Sequence, residues 1–426
     1  MSITPSRGLR GEVTVPGDKS ISHRAVMLGA IADGVSQVDG FLDSADCRST
    51  MGCFAQMGVE MTLQGGTLTV QGRGLRGLSA PQRPLDAGNS GTTTRLLTGL
   101  LAGQGFDSEL FGDASLSRRP MDRVIHPLTQ MGARIDSAPG GRCPLRIHGQ
   151  PLHGIAYTLP VASAQLKSAL ILAGLYAQGE TVLTEPAPSR DHTERMLAAL
   201  GAELTAADGR ITVHPARHLP AFQLTVPGDI SSAAFFLVAG LIVPNSEVTL
   251  RGVGCNPTRT GLIDVLLNMG ADLTVQNRRG TLEPVCDLTV RTSALNGVRV
   301  DGALIPRLID EIPALAVAAA FAQGETVIAD AQELKVKESN RIRAMTEQLR
   351  RAGADVTETE DGMIIRGGRA LHGAHFQTYG DHRIAMAMAV CALACQGPST
   401  LEEEGIVAIS YPGFFQTLRT LEGGRV

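Results

Sequence analysis

The sequence predicts an α/β fold with mixed sheets, organised as six repeated units that group into two domains of three. Three observations carry this. First, a short glycine signature recurs: Met57-Gly58-Val59-Glu60, Met131-Gly132-Ala133-Arg134, Leu200-Gly201-Ala202-Glu203, Met269-Gly270-Ala271-Asp272 and Ala352-Gly353-Ala354-Asp355, with a weaker sixth copy at Leu421-Glu422-Gly423. Successive glycines lie 74, 69, 69, 83 and 70 residues apart, too long for a solenoid repeat and long enough for two helices and several strands. Second, the order of elements recurs within each period. A turn of Gly, Asp, Asn and Ser opens a small-residue apolar helix, a short strand follows (179–183, 324–328), and a polar loop leads to an amphipathic helix (191–200, 339–352). The signature glycine then stands at the helix C′ position, where a left-handed conformation is expected. Third, Val226-Pro227-Gly228-Asp229 lies near the middle of the 426 residues with no low-complexity linker around it. It is the expected crossing between two closely joined domains.

Composition narrows the function. Hydrophobic residues make up 43% and charged residues 19% of the chain, so a large core is expected rather than disorder. The net charge of −4 argues against nucleic-acid or membrane-surface partners, which need a positive face. With 11 Phe, 4 Tyr and no Trp, base-stacking platforms are poorly supplied. The longest apolar runs (233–243, 314–322, 384–395) fall short of the ~18 residues a membrane span needs. Residues 1–10 contain no apolar stretch, so no signal peptide is expected. Seven scattered Cys without a CxxC suggest reduced thiols and a cytoplasmic location.

Five apolar helices open with polar groups: Gly17-Asp18-Lys19-Ser20-Ile21-Ser22-His23-Arg24, Gly88-Asn89-Ser90-Gly91-Thr92-Thr93-Thr94-Arg95, Ser163-Ala164-Gln165-Leu166-Lys167-Ser168, Gly228-Asp229-Ile230-Ser231-Ser232 and Gly380-Asp381-His382-Arg383. One such start is ordinary capping. Five, four of them with Lys or Arg in the first turns, point to helix N-termini facing an anionic ligand. GxxxxGK[ST] is absent and Gly88–Gly91 is too short for GxGxxG, so neither ATP nor NAD is indicated.

Arg118-Arg119-Pro120-Met121-Asp122-Arg123 and Lys335-Val336-Lys337-Glu338-Ser339-Asn340-Arg341 each enter a helix. Singly, each reads as a solvated face. Lys337 and Arg341, however, are expected four apart on one helical face with Glu338 beside them, which suits an anionic substrate and proton transfer. Asp310-Glu311, ahead of Pro313 and an apolar helix, is either an N-cap or a general base. No metal is expected: Pro215 interrupts His214 and His218, and His372 and His375 are expected to have no acidic or Cys partner nearby. GxSxG is absent and no Cys lies at a basic helix start, so a covalent nucleophile is not expected.

These stretches together resemble the 5-enolpyruvylshikimate-3-phosphate synthase family over essentially the whole chain. The resemblance is carried by Pro16-Gly-Asp-Lys-Ser-Ile-Ser-His-Arg24, Gly88-Asn-Ser-Gly-Thr-Thr-Thr-Arg95, Arg119-Pro-Met121, Ser163-Ala-Gln165, Arg190-Asp-His-Thr-Glu194, Lys337-Glu-Ser-Asn-Arg341 and Tyr379-Gly-Asp-His-Arg383. It implies two domains, each of three βαβαββ units in pseudo-threefold array (an inverse α/β barrel), with the active site in a cleft between them. One domain would be discontinuous, 1–17 with 228–426. The other would be 18–227, with hinge crossings near 16–18 and 226–229. The implied enzyme is a transferase of the shikimate pathway, serving chorismate and aromatic amino acid biosynthesis, and a glyphosate target. It moves the enolpyruvyl group of phosphoenolpyruvate to the 5-hydroxyl of shikimate 3-phosphate and releases phosphate, by addition and elimination through a tetrahedral intermediate. No cofactor or metal is implied; the partners are the two small-molecule substrates, and the chain would be a monomer.

Carried over position by position, Lys19, Ser20, Arg24, Ser163, Ala164, Gln165, Arg190, Asp310 and Lys337 would hold shikimate 3-phosphate. Lys19, Gly91, Arg119, Gln165, Arg341, His382 and Arg383 would hold phosphoenolpyruvate, Gly91 by letting the backbone come close. Lys19, Asp310 and Glu338 would be catalytic, Asp310 taking the 5-hydroxyl proton and Glu338 delivering one to the methylene carbon. Within the family, Arg190-Asp-His-Thr-Glu194 looks like the second, often glyphosate-tolerant branch. Consistent with that, Ile409-Ser410-Tyr411-Pro412 lacks the Lys of the other branch, and Glu333 and Ala164 replace its Asn and second Ser. Gly91 is not the Ala of well-known tolerant members, so inhibitor sensitivity stays open. Two alternatives stand beside this. UDP-N-acetylglucosamine enolpyruvyl transferase would carry Lys-Asn where Lys19-Ser20 stands, and a Cys within 106–123, where none occurs. A non-catalytic anion-binding hinge protein would not need Asp310 and Glu338 together.

Overall fold

The computed structural model describes residues 1–280 and 282–423. The chain divides into two compact units, a middle unit of Gly17–Val226 and a terminal unit of Met1–Pro16 together with the chain from Pro227 onward.

The middle unit contains helices α1 (Lys19–Ala30), α2 (Ala45–Gln56), α3 (Gly91–Ala102), α4 (Asp122–Gln130), α5 (Ala164–Gly174) and α6 (His192–Ala199). Its three four-stranded sheets repeat one pattern, a parallel pair at one edge continued by two antiparallel strands. Gln223–Thr225 lies parallel to Asp33–Asp39, followed by Thr67–Arg73 and Glu60–Gln64. Leu85–Asp86 lies parallel to Ser108–Phe111, followed by Arg142–His148 and Arg134–Ala138. Ala156–Thr158 lies parallel to Thr181–Thr184, followed by Arg210–Val213 and Leu204–Ala207.

The terminal unit contains α7 (Ile230–Ile242), α8 (Gly261–Asn268), α9 (Ile305–Leu308), α10 (Ile312–Phe321), α11 (Arg341–Arg351), α12 (His382–Ala394) and α13 (Phe414–Leu421). The sheet pattern recurs. Arg10–Val13 lies parallel to Glu247–Gly254, then Val285–Arg291 and Asp272–Arg279. Arg299–Val300 lies parallel to Glu325–Ile328, then Met363–Arg366 and Asp355–Glu358. The sixth sheet is cut to three strands: His375–Phe376 is parallel to Ser399–Leu401, and Ser2–Ile3 pairs antiparallel on the far side.

The helices differ by composition. α10 reads Ile-Pro-Ala-Leu-Ala-Val-Ala-Ala-Ala-Phe, without one polar side chain. A helix apolar on all sides must be enclosed, and α7, α10 and α12 pack against one another in the core of the terminal unit. α1, α3 and α5 are buried along most of their length in the middle unit. The second helix of a repeat is amphipathic. α11 buries Ile342, Ala344, Met345 and Leu349 and turns Arg343 and Arg350 outward. The signature glycines close such helices in the left-handed region, with φ of +87° at Gly58, +94° at Gly132, +76° at Gly201, +89° at Gly270, +91° at Gly353 and +80° at Gly423, which glycine adopts without the Cβ penalty.

The approach of α3 to α5 depends on Gly99, where a Cβ would run into the Ala169 carbonyl oxygen. Gly99→Ala is expected to cost about 1–3 kcal/mol by overpacking. Gly52, exposed on α2 with nothing near its Cβ direction, should behave oppositely, Gly52→Ala adding about 0.5–1 kcal/mol. Urea unfolding of the two variants should therefore shift the midpoint in opposite directions.

Candidate active site

In the middle unit, the N-termini of α1, α3 and α5 are capped by side chains of the chain itself. Asp18 accepts from the Ile21 amide (2.9 Å), Ser90 from Thr93 (3.1 Å) and Ser163 from Leu166 (3.4 Å). Capping explains those acceptors, as the sequence allowed; it leaves unexplained the cations gathered around them. Lys19 begins α1, its Nζ 3.0 Å from Asp46. One turn later Arg24, 4% exposed, donates to the Ser20 carbonyl (2.9 Å), Thr193 Oγ1 (2.6 Å) and Ser168 Oγ (2.7 Å). Arg190 Nη1 reaches Ser20 Oγ at 3.5 Å. Lys19, Ser20, Arg24 and Arg190 thus form one group.

A second group surrounds the start of α3. Gln165 accepts from Arg95 (2.6 Å) and donates to Thr92 (2.9 Å). Arg119, buried, donates to Asn89 (2.7 Å) and Ser115 (3.2 Å). Gly91 is the first residue of α3, and a Cβ there would stand 3.1 and 3.3 Å from guanidinium nitrogens of Arg95 and Arg119. Ala164, first in α5 and half-buried, can offer a ligand only its backbone and methyl group. Beneath both groups runs a buried chain of hydrogen bonds: His23 Nδ1 to Thr50 (2.7 Å), Thr50 to Thr93 (2.7 Å) and Thr93 to Ser90 (2.7 Å). Burial first, then the charges of Lys19 and Arg24, hold the His23 imidazole well below its usual pKa, so it is neutral.

The terminal unit gathers acids as well as cations. Arg341, 1% exposed, is the centre. It donates to Asp381 (2.8 Å), Glu338 (2.6 Å) and Asp310 (3.3 Å). Burial works against its charge, but Asp381, Glu338 and Asp310 more than offset this and raise its pKa. Burial likewise works to raise Asp381, yet Arg341 holds it below the usual carboxylate range. Asp381 also caps α12 through the Arg383 amide (2.9 Å) and accepts from Ser339 (3.0 Å). Arg383 binds the Asp310 carbonyl (2.8 Å) and approaches its carboxylate at 3.9 Å. Lys337 lies 3.9 Å from Asp310 and 3.0 Å from Glu333. His382, the first residue of α12, is buried at that helix start.

Three expectations need correction. Lys337 and Glu338 are not on one helical face with Arg341. Asn340 caps α11 by accepting from the Arg343 amide (3.2 Å), so the helix starts at Arg341, and Lys337 and Glu338 come from the preceding turn. Asp310 is not an N-cap; Glu311 occupies that position without a capping side-chain bond, its carboxylate turned instead to Ser231 and Arg259 (3.6 Å). His375 does have an acidic neighbour, Glu402 at 2.7 Å, brought by a strand remote in sequence. Among the described residues, no group of three or more His, Cys, Asp or Glu could hold a metal ion, and no helix is long and apolar enough to cross a membrane. Asp46 and the Asp381–Arg341 pair were missed in the sequence, where each acid looks like an ordinary residue at a helix start.

The middle unit thus gathers cations at helix starts, and the terminal unit gathers cations and carboxylates around Arg341, side-chain types that can hold an anion and, where an acid stands beside it, move a proton. A family model described as EPSP synthase (3-phosphoshikimate 1-carboxyvinyltransferase) matches residues 3–418. The 3-phosphoshikimate 1-carboxyvinyltransferase of Citrifermentans bemidjiense is 54% identical over 98% of both chains. That of Geobacillus kaustophilus is 55% identical over 97% of this chain and 98% of its own. The solved EPSP synthase of Acinetobacter baumannii superposes with a TM-score of 0.88 at 46% identity, covering 99% of this chain and 97% of that one. The enolpyruvyl transferase NikO of Streptomyces tendae shares the fold at a TM-score of 0.80 and 19% identity. With a family model spanning nearly its whole length and relatives above half identity, the chain belongs to the EPSP synthase family.

Proposed function

We propose that the chain transfers the enolpyruvyl group of phosphoenolpyruvate to the 5-hydroxyl of shikimate 3-phosphate, with Lys19, Asp310 and Glu338 as catalytic groups. The observation that carries this is the pair of carboxylates, Asp310 and Glu338, both held against Arg341 with Lys337 and Arg383 beside Asp310. An anion-binding protein needs the cations; it has no use for two acids set among them.

In the addition step Asp310 takes the 5-hydroxyl proton as that oxygen bonds to C2 of phosphoenolpyruvate. Glu338 gives a proton to the methylene carbon, which becomes a methyl group in a tetrahedral intermediate. In the elimination step the methyl group loses a proton, the double bond re-forms and phosphate leaves with the C–O bond electrons. Ser20, Arg24, Ser163, Ala164, Gln165, Arg190 and Lys337 hold shikimate 3-phosphate. Gly91, Arg119, Arg341, His382 and Arg383, with Gln165, hold phosphoenolpyruvate, and Lys19 serves both. These cations concentrate positive charge where two phosphates and two carboxylates must be neutralised, and they oppose the charge that develops on the leaving phosphate.

The finer assignments belong to the same proposal. The chain acts as a cytoplasmic monomer on small molecules alone, without a cofactor and without nucleic-acid or membrane partners. The crossings near 16–18 and 226–229 serve as hinges. Arg190-Asp191-His192-Thr193-Glu194 supports membership of the second, often glyphosate-tolerant branch.

Phosphate release from phosphoenolpyruvate tests the reaction, measured with shikimate 3-phosphate, with UDP-N-acetylglucosamine and with neither. Release with shikimate 3-phosphate alone is expected; release only with the nucleotide sugar would move the chain to that reaction. Asp310→Asn should lower kcat about 10²–10⁴-fold while shikimate 3-phosphate still binds.

Neutral His23 keeps a third positive charge away from Lys19 and Arg24, and this sets a pH limit. Its folded pKa lies below the unfolded value of ~6.5, so the unfolded chain takes the proton first as pH falls. The stability His23 contributes is complete above pH ~6.5 and is lost below it, by up to ~1.4 kcal/mol per pH unit. Urea midpoints at pH 7.5 and 5.5 should fall more steeply for the parent than for His23→Gln.

A further inference from the structure

The proposed chemistry leaves several buried charges unused, Lys167 among them. Lys167, on α5, is 1% exposed. Its Nζ lies 2.8 Å from Glu185 Oε2, 2.7 Å from Glu194 Oε1 and 3.3 Å from the Ser189 carbonyl. Ser189 Oγ in turn donates to Glu185. Glu185 opens the loop between the strand Thr181–Thr184 and α6, and Glu194 lies in the first turn of α6. One ammonium therefore ties down both ends of the segment that carries Arg190.

The same tie reaches Arg24. Ser168 follows Lys167 on α5, and Thr193 precedes Glu194 on α6. Thr193 Oγ1 donates to Ser168 Oγ at 2.7 Å, and the two hydroxyls accept the Arg24 guanidinium on two of its nitrogens. Both hydroxyls that aim Arg24 are thus one residue from a member of the buried ionic group.

Such a group is a poor way to gain stability, because desolvating one ammonium and two carboxylates cancels most of their attraction. Burial pushes the Glu194 carboxyl up in spite of Lys167. An apolar filling would hold α5 to α6 as well. It would not fix direction, which charge-assisted hydrogen bonds do.

We propose that Lys167, Glu185 and Glu194 form a positioning clamp that aims Arg24 and Arg190 at shikimate 3-phosphate, so that affinity for this substrate, and not turnover or phosphoenolpyruvate binding, depends on it. This rests on the function proposed above. None of the three residues touches substrate in that scheme; each acts through Arg24 or Arg190.

The test uses Glu194→Gln, which keeps the side-chain shape and leaves Lys167 paired with Glu185, and Lys167→Met. A third variant, Lys167→Met/Glu185→Gln/Glu194→Leu, removes every charge of the clamp. The readouts are kcat and both KM values from phosphate release, the calorimetric Kd for shikimate 3-phosphate, and the melting temperature. KM and Kd for shikimate 3-phosphate should rise about 10–100-fold in all three variants, the loss expected when a binding group is misplaced by roughly an ångström. kcat and the KM for phosphoenolpyruvate should stay within about threefold. The charge-free variant should melt at or above the parent and still bind shikimate 3-phosphate weakly, which a merely structural role cannot produce. Unchanged affinity in folded Glu194→Gln would overturn the clamp, as would an equal loss in both KM values and kcat that tracks the melting temperature. A parent protein that releases no phosphate with shikimate 3-phosphate would overturn the proposed function, and the clamp with it.

Discussion

The constraint on which the structure depends is that a helix enclosed on all sides still ends in unpaired amides. An α-helix leaves its first amides without intrahelical partners, and α1, α3, α5, α7 and α12 are buried almost throughout. Each is closed by an acid or hydroxyl from its own chain: Asp18, Ser90, Ser163, Asp229 and Asp381. α10 departs from this rule. It starts with a proline at its second residue, and Glu311, at its cap position, makes no capping bond. A fold that brings apolar helices into its core must therefore bring polar ends along, and those ends are where Lys19, Arg24, Arg119, Arg341 and Arg383 collect.

The two units use this requirement differently. Around α1 and α3 the cations donate to neutral acceptors, among them the Asn89, Gln165, Ser115, Ser168 and Thr193 side chains and the Ser20 carbonyl, and Lys19 lies against Asp46. Around α12 the cations rest on carboxylates. Arg341 between Asp381, Glu338 and Asp310 keeps three acids close together, and burial works against the charge of Asp381. Cations at helix starts suit the anion binding proposed above, and acids beside a cation suit the proposed proton exchange.

The repeat was legible because its marker is local: a glycine that must turn left-handed after each amphipathic helix leaves the same few letters every time. The starts of α1, α3, α5, α7 and α12 were legible for the same reason, since a cap reaches only two or three residues. The sixth sheet was not, because Ser2–Ile3 pairs with Ser399–Leu401 from the opposite end of the chain. The site divides along the same line. Lys19, Arg119, Arg341 and Arg383 stand out in short motifs, whereas Asp46 against Lys19 and Asp381 against Arg341 are pairings of the folded chain with no sequence spacing. Lys167 shows this most sharply. In the helix opening Ser163-Ala164-Gln165-Leu166-Lys167-Ser168 it looks like another cation for an anionic ligand, and the structure places it instead in a buried group with Glu185 and Glu194.

The parallel strand that opens the first sheet of each unit has a consequence for how the chain is made. Asp33–Asp39 waits for Gln223–Thr225, and Arg10–Val13 waits for Glu247–Gly254. As the chain leaves the ribosome, the middle unit has all its strands once residue 225 has emerged. The first residues must meanwhile stay unpaired until the chain has passed residue 254, and Ser2–Ile3 until after residue 401. Closure of such distant strands carries the loop entropy of everything between them. The order of synthesis thus supplies every strand of the middle unit before the strands that complete the sheets of the terminal unit.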